Sequence, residues 1–101
     1  MKITMQVGNK QYERDGITCG DYEDFIELRE AVNPDGDYSI DDMKKMRKAL
    51  TIAFKGQVTE DELRDADATE IIYQFMAVDA LVAGGLKSKV EKMKSDFGLG
   101  E

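Results

Sequence analysis

The chain has 101 residues, the size of one domain, with 14 Lys and Arg against 21 Asp and Glu, a formal charge of −7 and no histidine. That balance argues against a general nucleic-acid binder, which needs a basic footprint, and the missing histidine removes the commonest general base and transition-metal ligand. One cysteine, Cys19, has no internal partner, which fits a reducing compartment and an apolar filler near a helix start better than a nucleophile.

No Walker, dinucleotide-binding or nucleophile-elbow spacing occurs, so neither catalytic residues nor a cofactor is expected, and an enzyme is disfavoured. The opening MKITMQVGNK is too polar for a signal peptide, and no apolar run approaches membrane-spanning length, so no membrane partner is expected. Charge is blocky. Residues 1–42 hold four Lys/Arg against eleven Asp/Glu, whereas residues 43–101 hold ten of each. Each block reads as a solvated helix face or as a contact for an oppositely charged one.

In chain order, Ile3, Met5 and Val7 alternate with polar residues and predict a strand. Gly8-Asn9 suits a two-residue turn, with Lys10 to Arg14 returning as a second strand. A lone hairpin is marginal in water, so it must lie on helices or on another subunit. Thr18 or Asp21 then caps a first helix with the stripe Tyr22, Phe25, Ile26, Leu28 and Val32, which Asn33-Pro34-Asp35-Gly36-Asp37 breaks. Ser39 caps a second helix with Asp42 at its third position. Its stripe is Met43, Met46, Leu50 and Ala53, extended by Ile40 and Phe54, and Lys55-Gly56 closes it.

Two further helix starts stand back to back. Thr59 with Glu62 and Asp67 with Glu70 both have capping-box spacing. The second opens an apolar series, Ile71, Ile72, Phe75, Met76, Val78, Leu81 and Val82, expected to stop at Gly84-Gly85. These elements predict a mainly α fold, a small bundle of about four helices with a short N-terminal β-hairpin over residues 1–86. Residues 87–101 are expected to form a polar, mobile C-terminal tail.

Residues 33–44, NPDGDYSIDDMK, imitate a calcium loop, with Asn33, Asp35, Asp37 and Ser39 at the first four ligand positions. Tyr38 stands where a glycine should allow the sharp turn, and Lys44 where a glutamate should supply two oxygens. A turn-rich linker that caps the next helix is the stronger reading, a degenerate calcium-loop regulator the weaker, and no metal ligand is assigned. The six methionines and nearby aromatics divide similarly, between adaptable core filler and a surface that grips a partner's apolar segment. Met43, Met46, Leu50, Phe54, Tyr73, Phe75 and Met76 are the candidate partner-binding residues. A small acidic adaptor or inhibitor of a basic partner is a further reading.

Taken in order, the segments KITMQVGNKQYE, DYEDFIELREAV, IDDMKKMRKALTIAFKGQVTEDEL and ATEIIYQFMAVDAL resemble the tail assembly chaperone family of long-tailed phages and prophages of Gram-positive bacteria. The likeness covers about residues 1–85 and is most specific at the corner Phe54 to Thr59 with Leu63. Lys55 and the Ala66-Asp67 step depart from the family pattern. The resemblance implies a transient sleeve. Such a protein binds the tape measure protein, keeps that long helical rod soluble, helps recruit tail tube protein subunits, and is absent from the mature virion. It also implies residence in the host bacterial cytoplasm and a longer form of the same protein made by ribosomal frameshift, while the marginal hairpin and spare apolar stripes point to assembly as a homo-oligomer.

Overall fold

The computed structural model describes the backbone of residues 1–96, and the side chains of all of these except 85–89 and 94–96. The element order is β1 (Lys2–Val7), β2 (Lys10–Asp15), α1 (Cys19–Ala31), α2 (Ile40–Ala53), α3 (Glu60–Arg64) and α4 (Ala68–Asp96). The architecture is therefore mainly helical with an N-terminal antiparallel hairpin, as the two periodicities predict.

Gly8, at φ 60°, takes the left-handed conformation that a tight two-residue turn demands, which pairs Val7 with Lys10, Met5 with Tyr12 and Ile3 with Arg14. Ile3, Met5 and Tyr12 face inward and are buried, while Thr4, Gln6, Gln11 and Glu13 form the exposed outer face. Thr18 is the cap of α1, its hydroxyl accepting from Asp21 N at 3.1 Å. Ser39 with Asp42 and Thr59 with Glu62 close reciprocal capping boxes on α2 and α3. Each box satisfies amides that a helix start leaves orphaned.

The hydrophobic core lies between α2 and its neighbours. Met46, Leu50, Ala53 and Phe54 meet Phe25 of α1, Leu63 of α3, and Ile71, Val78 and Val82 of α4. Phe25 stacks on Phe75 at 5.9 Å between ring centroids, and Tyr12 meets Phe54 at 6.2 Å. These contacts bring the hairpin into the same core. The Arg14 guanidinium reaches Asp21 Oδ2 at 2.9 Å and donates to the Ile52 carbonyl at 3.2 Å, so one cation joins β2, the start of α1 and the end of α2. A cation at the α2 C-terminus also opposes the negative end of that helix's dipole.

Three details differ from the sequence expectations. The last helix does not stop at Gly84-Gly85 but runs through both to Asp96. A glycine ends a helix when the chain turns left-handed there, and Gly84 has no positive φ; good helix formers follow on its C-terminal side. Residues 97–101 of the expected mobile tail lie outside the described residues. Ile40 does not extend the α2 stripe into the core but is 78% exposed, because it opens the helix one turn before the packed surface begins. The Asp67–Glu70 box is half formed. Asp67 Oδ1 accepts from Glu70 N at 3.1 Å, but the Glu70 carboxylate turns to the Gly8 amide at the hairpin tip.

Candidate partner-binding surface

The seven candidate binding residues divide by depth. Met46, Leu50 and Phe54 are fully buried and Phe75 is 6% exposed, so these four build the core and present no surface. Met43 is half-buried at its margin. Tyr73 and Met76 are 67% and 56% exposed. Met43, Met46, Leu50 and Phe54 follow spacings of three and four and Tyr73, Phe75 and Met76 are near neighbours on a second helix, but only neighbouring elements decide which side of a helix faces in.

The surface around Tyr73 and Met76 has a feature that the stripe alone hides. Residues 71–86 of α4 contain a single charged side chain, Asp79, and that carboxylate is engaged by Arg29 Nε of α1 at 3.2 Å. The outward arc of this helix is Tyr73, Met76, Ala77, Ala80, Leu81 and Gly84, with Gln74 as its polar edge. A helix that is apolar all round is ordinarily a buried one, whereas a surface helix carries charge on its outer face. Counting charge along the segment would have revealed this arc, which apolar periodicity alone does not.

A groove of about 710 Å³ runs beside the arc, floored by Thr4, Gln6 and Gln11 of the hairpin's outer face and walled by Gln74, Ala77 and Leu81 of α4. Two contacts hold its walls together. Gln74 Oε1 accepts from Gln6 N at 3.4 Å, and the Glu70 carboxylate accepts from Gly8 N. Both use outward amides of β1 and its turn, so the open sheet edge is tied down by the helix that forms the other wall.

No converging reactive groups accompany this surface. Among the described residues, no three or more His, Cys, Asp or Glu side chains cluster so as to hold a metal ion. In the calcium-like loop the Asn33 side chain folds back, its Oδ1 accepting from Asp35 N at 3.0 Å and its Nδ2 donating to Asp37 O. The Asp42 carboxylate accepts from Ser39 N at 3.0 Å and Asn33 N at 3.3 Å, and these amides, Ser39 foremost, hold its pKa below the ordinary aspartate value. The loop thus uses its oxygens to cap and turn the backbone. Cys19 is exposed, and the Glu23 carboxylate that its thiol meets at 3.1 Å pushes the thiol pKa up, away from thiolate chemistry. No described helix is long and apolar enough to cross a membrane.

No curated protein and no solved structure matches the chain. A protein-family model described as phage tail chaperone protein matches residues 1–96, which takes in the hairpin, every helix above and both walls of the groove. With that model spanning nearly the whole sequence, this chain belongs to the phage tail chaperone family.

Proposed function

We propose that the chain binds the tape measure protein during tail assembly in the host cytoplasm, keeps it soluble, helps recruit tail tube subunits, and leaves before the virion matures. The observation that carries this reading is the charge-free exposed arc of α4, with Tyr73 and Met76 as its largest contacts and Ala77 and Leu81 beside them. A helical rod exposes apolar seams, and an open groove beside an apolar helix face admits a helix side on, as helix-in-groove recognition requires. Met46, Leu50, Phe54 and Phe75 act from beneath by fixing the helices, and Met43 borders the surface. Acidic side chains on the rest of the molecule keep the complex soluble. Self-association and a frameshifted longer form belong to the same proposal.

Co-expression with the tape measure protein encoded beside it tests the reading. The native chain is expected to hold that protein in the soluble fraction and to co-purify with it. A Tyr73→Glu, Leu81→Glu double variant with an unchanged melting curve is expected to lose both effects. Tape measure protein that stays insoluble with the native chain, or equal capture by the folded double variant, defeats the proposal.

A further inference from the structure

The net charge of −7 hides one face of the opposite sign. Lys44, Arg47 and Lys48 lie on α2 with Ile40 and Thr51, all within about 100° of arc and about 16 Å of helix. This arc stands opposite the buried Met46, Ala49, Leu50 and Ala53. It carries no carboxylate. Asp41, at its border, is taken by Lys45 at 2.8 Å, and Asp42 is turned inward to cap the helix.

Cations elsewhere in the chain are held differently. Lys2, Lys10, Arg14 and Arg29, all the cations ahead of α2, each pair with a carboxylate. With 21 acidic side chains against 14 basic ones, a carboxylate is the easiest partner for a cation to find. Yet among the described residues none pairs with Lys44, Arg47 or Lys48. Arg47 is half-buried, and its Nε is covered without an acceptor among those residues. Its guanidinium has thus given up part of its hydration and side-chain freedom, so an incoming carboxylate meets little further ordering cost. Ile40, 78% exposed, adds an apolar contact one turn from Lys44 on the same arc.

We propose that this face of α2 docks an acidic protein segment, with carboxylates over Lys44, Arg47 and Lys48 and an apolar side chain on Ile40. The surroundings select that class of partner. Exposed Asp35 and Asp37 precede the helix and exposed Glu60 and Asp61 follow its closing turn, so the cations form a short island in an acidic surface. A compact acidic patch fits the island, whereas a long polyanion such as nucleic acid runs on into repelling carboxylates. α2 and α4 meet through their buried faces, so this surface points away from the Tyr73–Leu81 arc. A copy seated on the tape measure protein through α4 keeps its α2 face turned outward for a second partner. The docking itself does not rest on the α4 reading.

The test titrates the native chain into a fluorescein-labelled helical peptide, with three glutamates matched to the three cations and a leucine matched to Ile40. Anisotropy is expected to give a Kd of about 100 μM at low salt, the weak range of a small interface, and to weaken about tenfold by about 0.5 M salt. Lys44→Glu with Lys48→Glu, both at exposed positions, should leave the circular dichroism unchanged and weaken binding about tenfold or more. Lys2→Glu with Lys10→Glu makes the same change in net charge and should bind as the native chain does. The proposal is overturned by a peptide that does not bind, by a glutamine peptide that binds equally, or by equal loss in the two charge-reversed variants. A short DNA duplex or unlabelled native chain that takes the same lysines more tightly than the peptide also overturns it, since the occupant is then nucleic acid or another copy. The Lys44→Glu, Lys48→Glu variant should capture the tape measure protein as the native chain does, and its failure alone would merge the two surfaces and overturn the proposal. If the native chain itself captures nothing, the α4 reading falls while the peptide titration still decides this one.

Discussion

Phe75 and Tyr73 stand two residues apart on α4, and replacing each by alanine should have opposite consequences. Phe75 is 6% exposed and stacks on Phe25 at 5.9 Å, so Phe75→Ala removes a buried ring from the junction of α1 and α4. Deleting a buried phenylalanine side chain costs about 3–5 kcal/mol, the transfer term plus the cavity left behind. A domain this size is stable by only about 5–15 kcal/mol, and each kcal/mol moves Tm by about 4–8 °C. Thermal unfolding followed by circular dichroism should therefore show Tm falling by about 12–40 °C. Tyr73 is 67% exposed, and Tyr73→Ala should stay within about 0.5 kcal/mol of the native stability while weakening capture of the tape measure protein. The reasoning is refuted if the two variants melt together, or if the folded Tyr73→Ala protein captures as well as the native chain while a mildly destabilised Phe75→Leu loses capture.

Four further outcomes follow from particular contacts. Gly84→Ala should stabilise by about 0.5–1 kcal/mol, since Gly84 is helical with open space where a Cβ would stand; Gly56→Ala, at φ +79°, should destabilise by about 1–2 kcal/mol, and urea midpoints measure both. Asp21, held low chiefly by Arg14, and Asp42, held low by the Ser39 amide, bind protons less readily folded than unfolded. Their contribution is complete above the unfolded value of about 4 and is lost as pH falls through the lower folded values; Arg14→Met should shrink that acid sensitivity, and an unaltered stability–pH curve contradicts the assignment. Cys19 should alkylate more slowly at about pH 8 than the same thiol in urea, and Glu23→Gln should speed it by removing the carboxylate that raises its pKa. Millimolar calcium should leave Tm unchanged, because the Asn33 and Asp42 oxygens already serve the backbone; a rise that Asp37→Asn abolishes would restore the calcium reading.

How much of this was legible depended on how local the cause was. Gly8-Asn9, the Ser39 and Thr59 boxes and the break at Asn33–Asp37 are written in adjacent residues whose preferences need no partner, and the structure has each. The fate of Gly84 is not local, because glycine permits a left-handed turn without compelling one. The Asp67–Glu70 spacing likewise fits a closed box, but the hairpin tip brings a rival donor, the Gly8 amide, from 62 residues away. The candidate surface was the hardest to read. Tyr73, Phe75 and Met76 are alike in composition and nearly adjacent, and only the position of α1 sends Phe75 inward and leaves the others outside.

The charge-free arc also bears on how a coat could be both effective and temporary. Tyr73, Met76 and Leu81 are its only large side chains, and fully burying one such side chain contributes at most about 1.5–3 kcal/mol, part of which already offsets the entropy lost on association. One copy alone should therefore hold a helical segment weakly and exchange quickly. Strength must come from copies acting together, since linking sites multiplies affinity without any new contact. The groove suits that division of labour. Its hairpin floor is fastened to α4 through Gly8 and Gln6, so little ordering cost remains at binding; the α4 wall offers the rod no charge to desolvate, and the charged lining residue is Glu13 on the hairpin side. A coat built this way holds while many copies are engaged and peels once a competing assembly removes a few. A single copy that bound an isolated rod segment with nanomolar affinity would be incompatible with that logic.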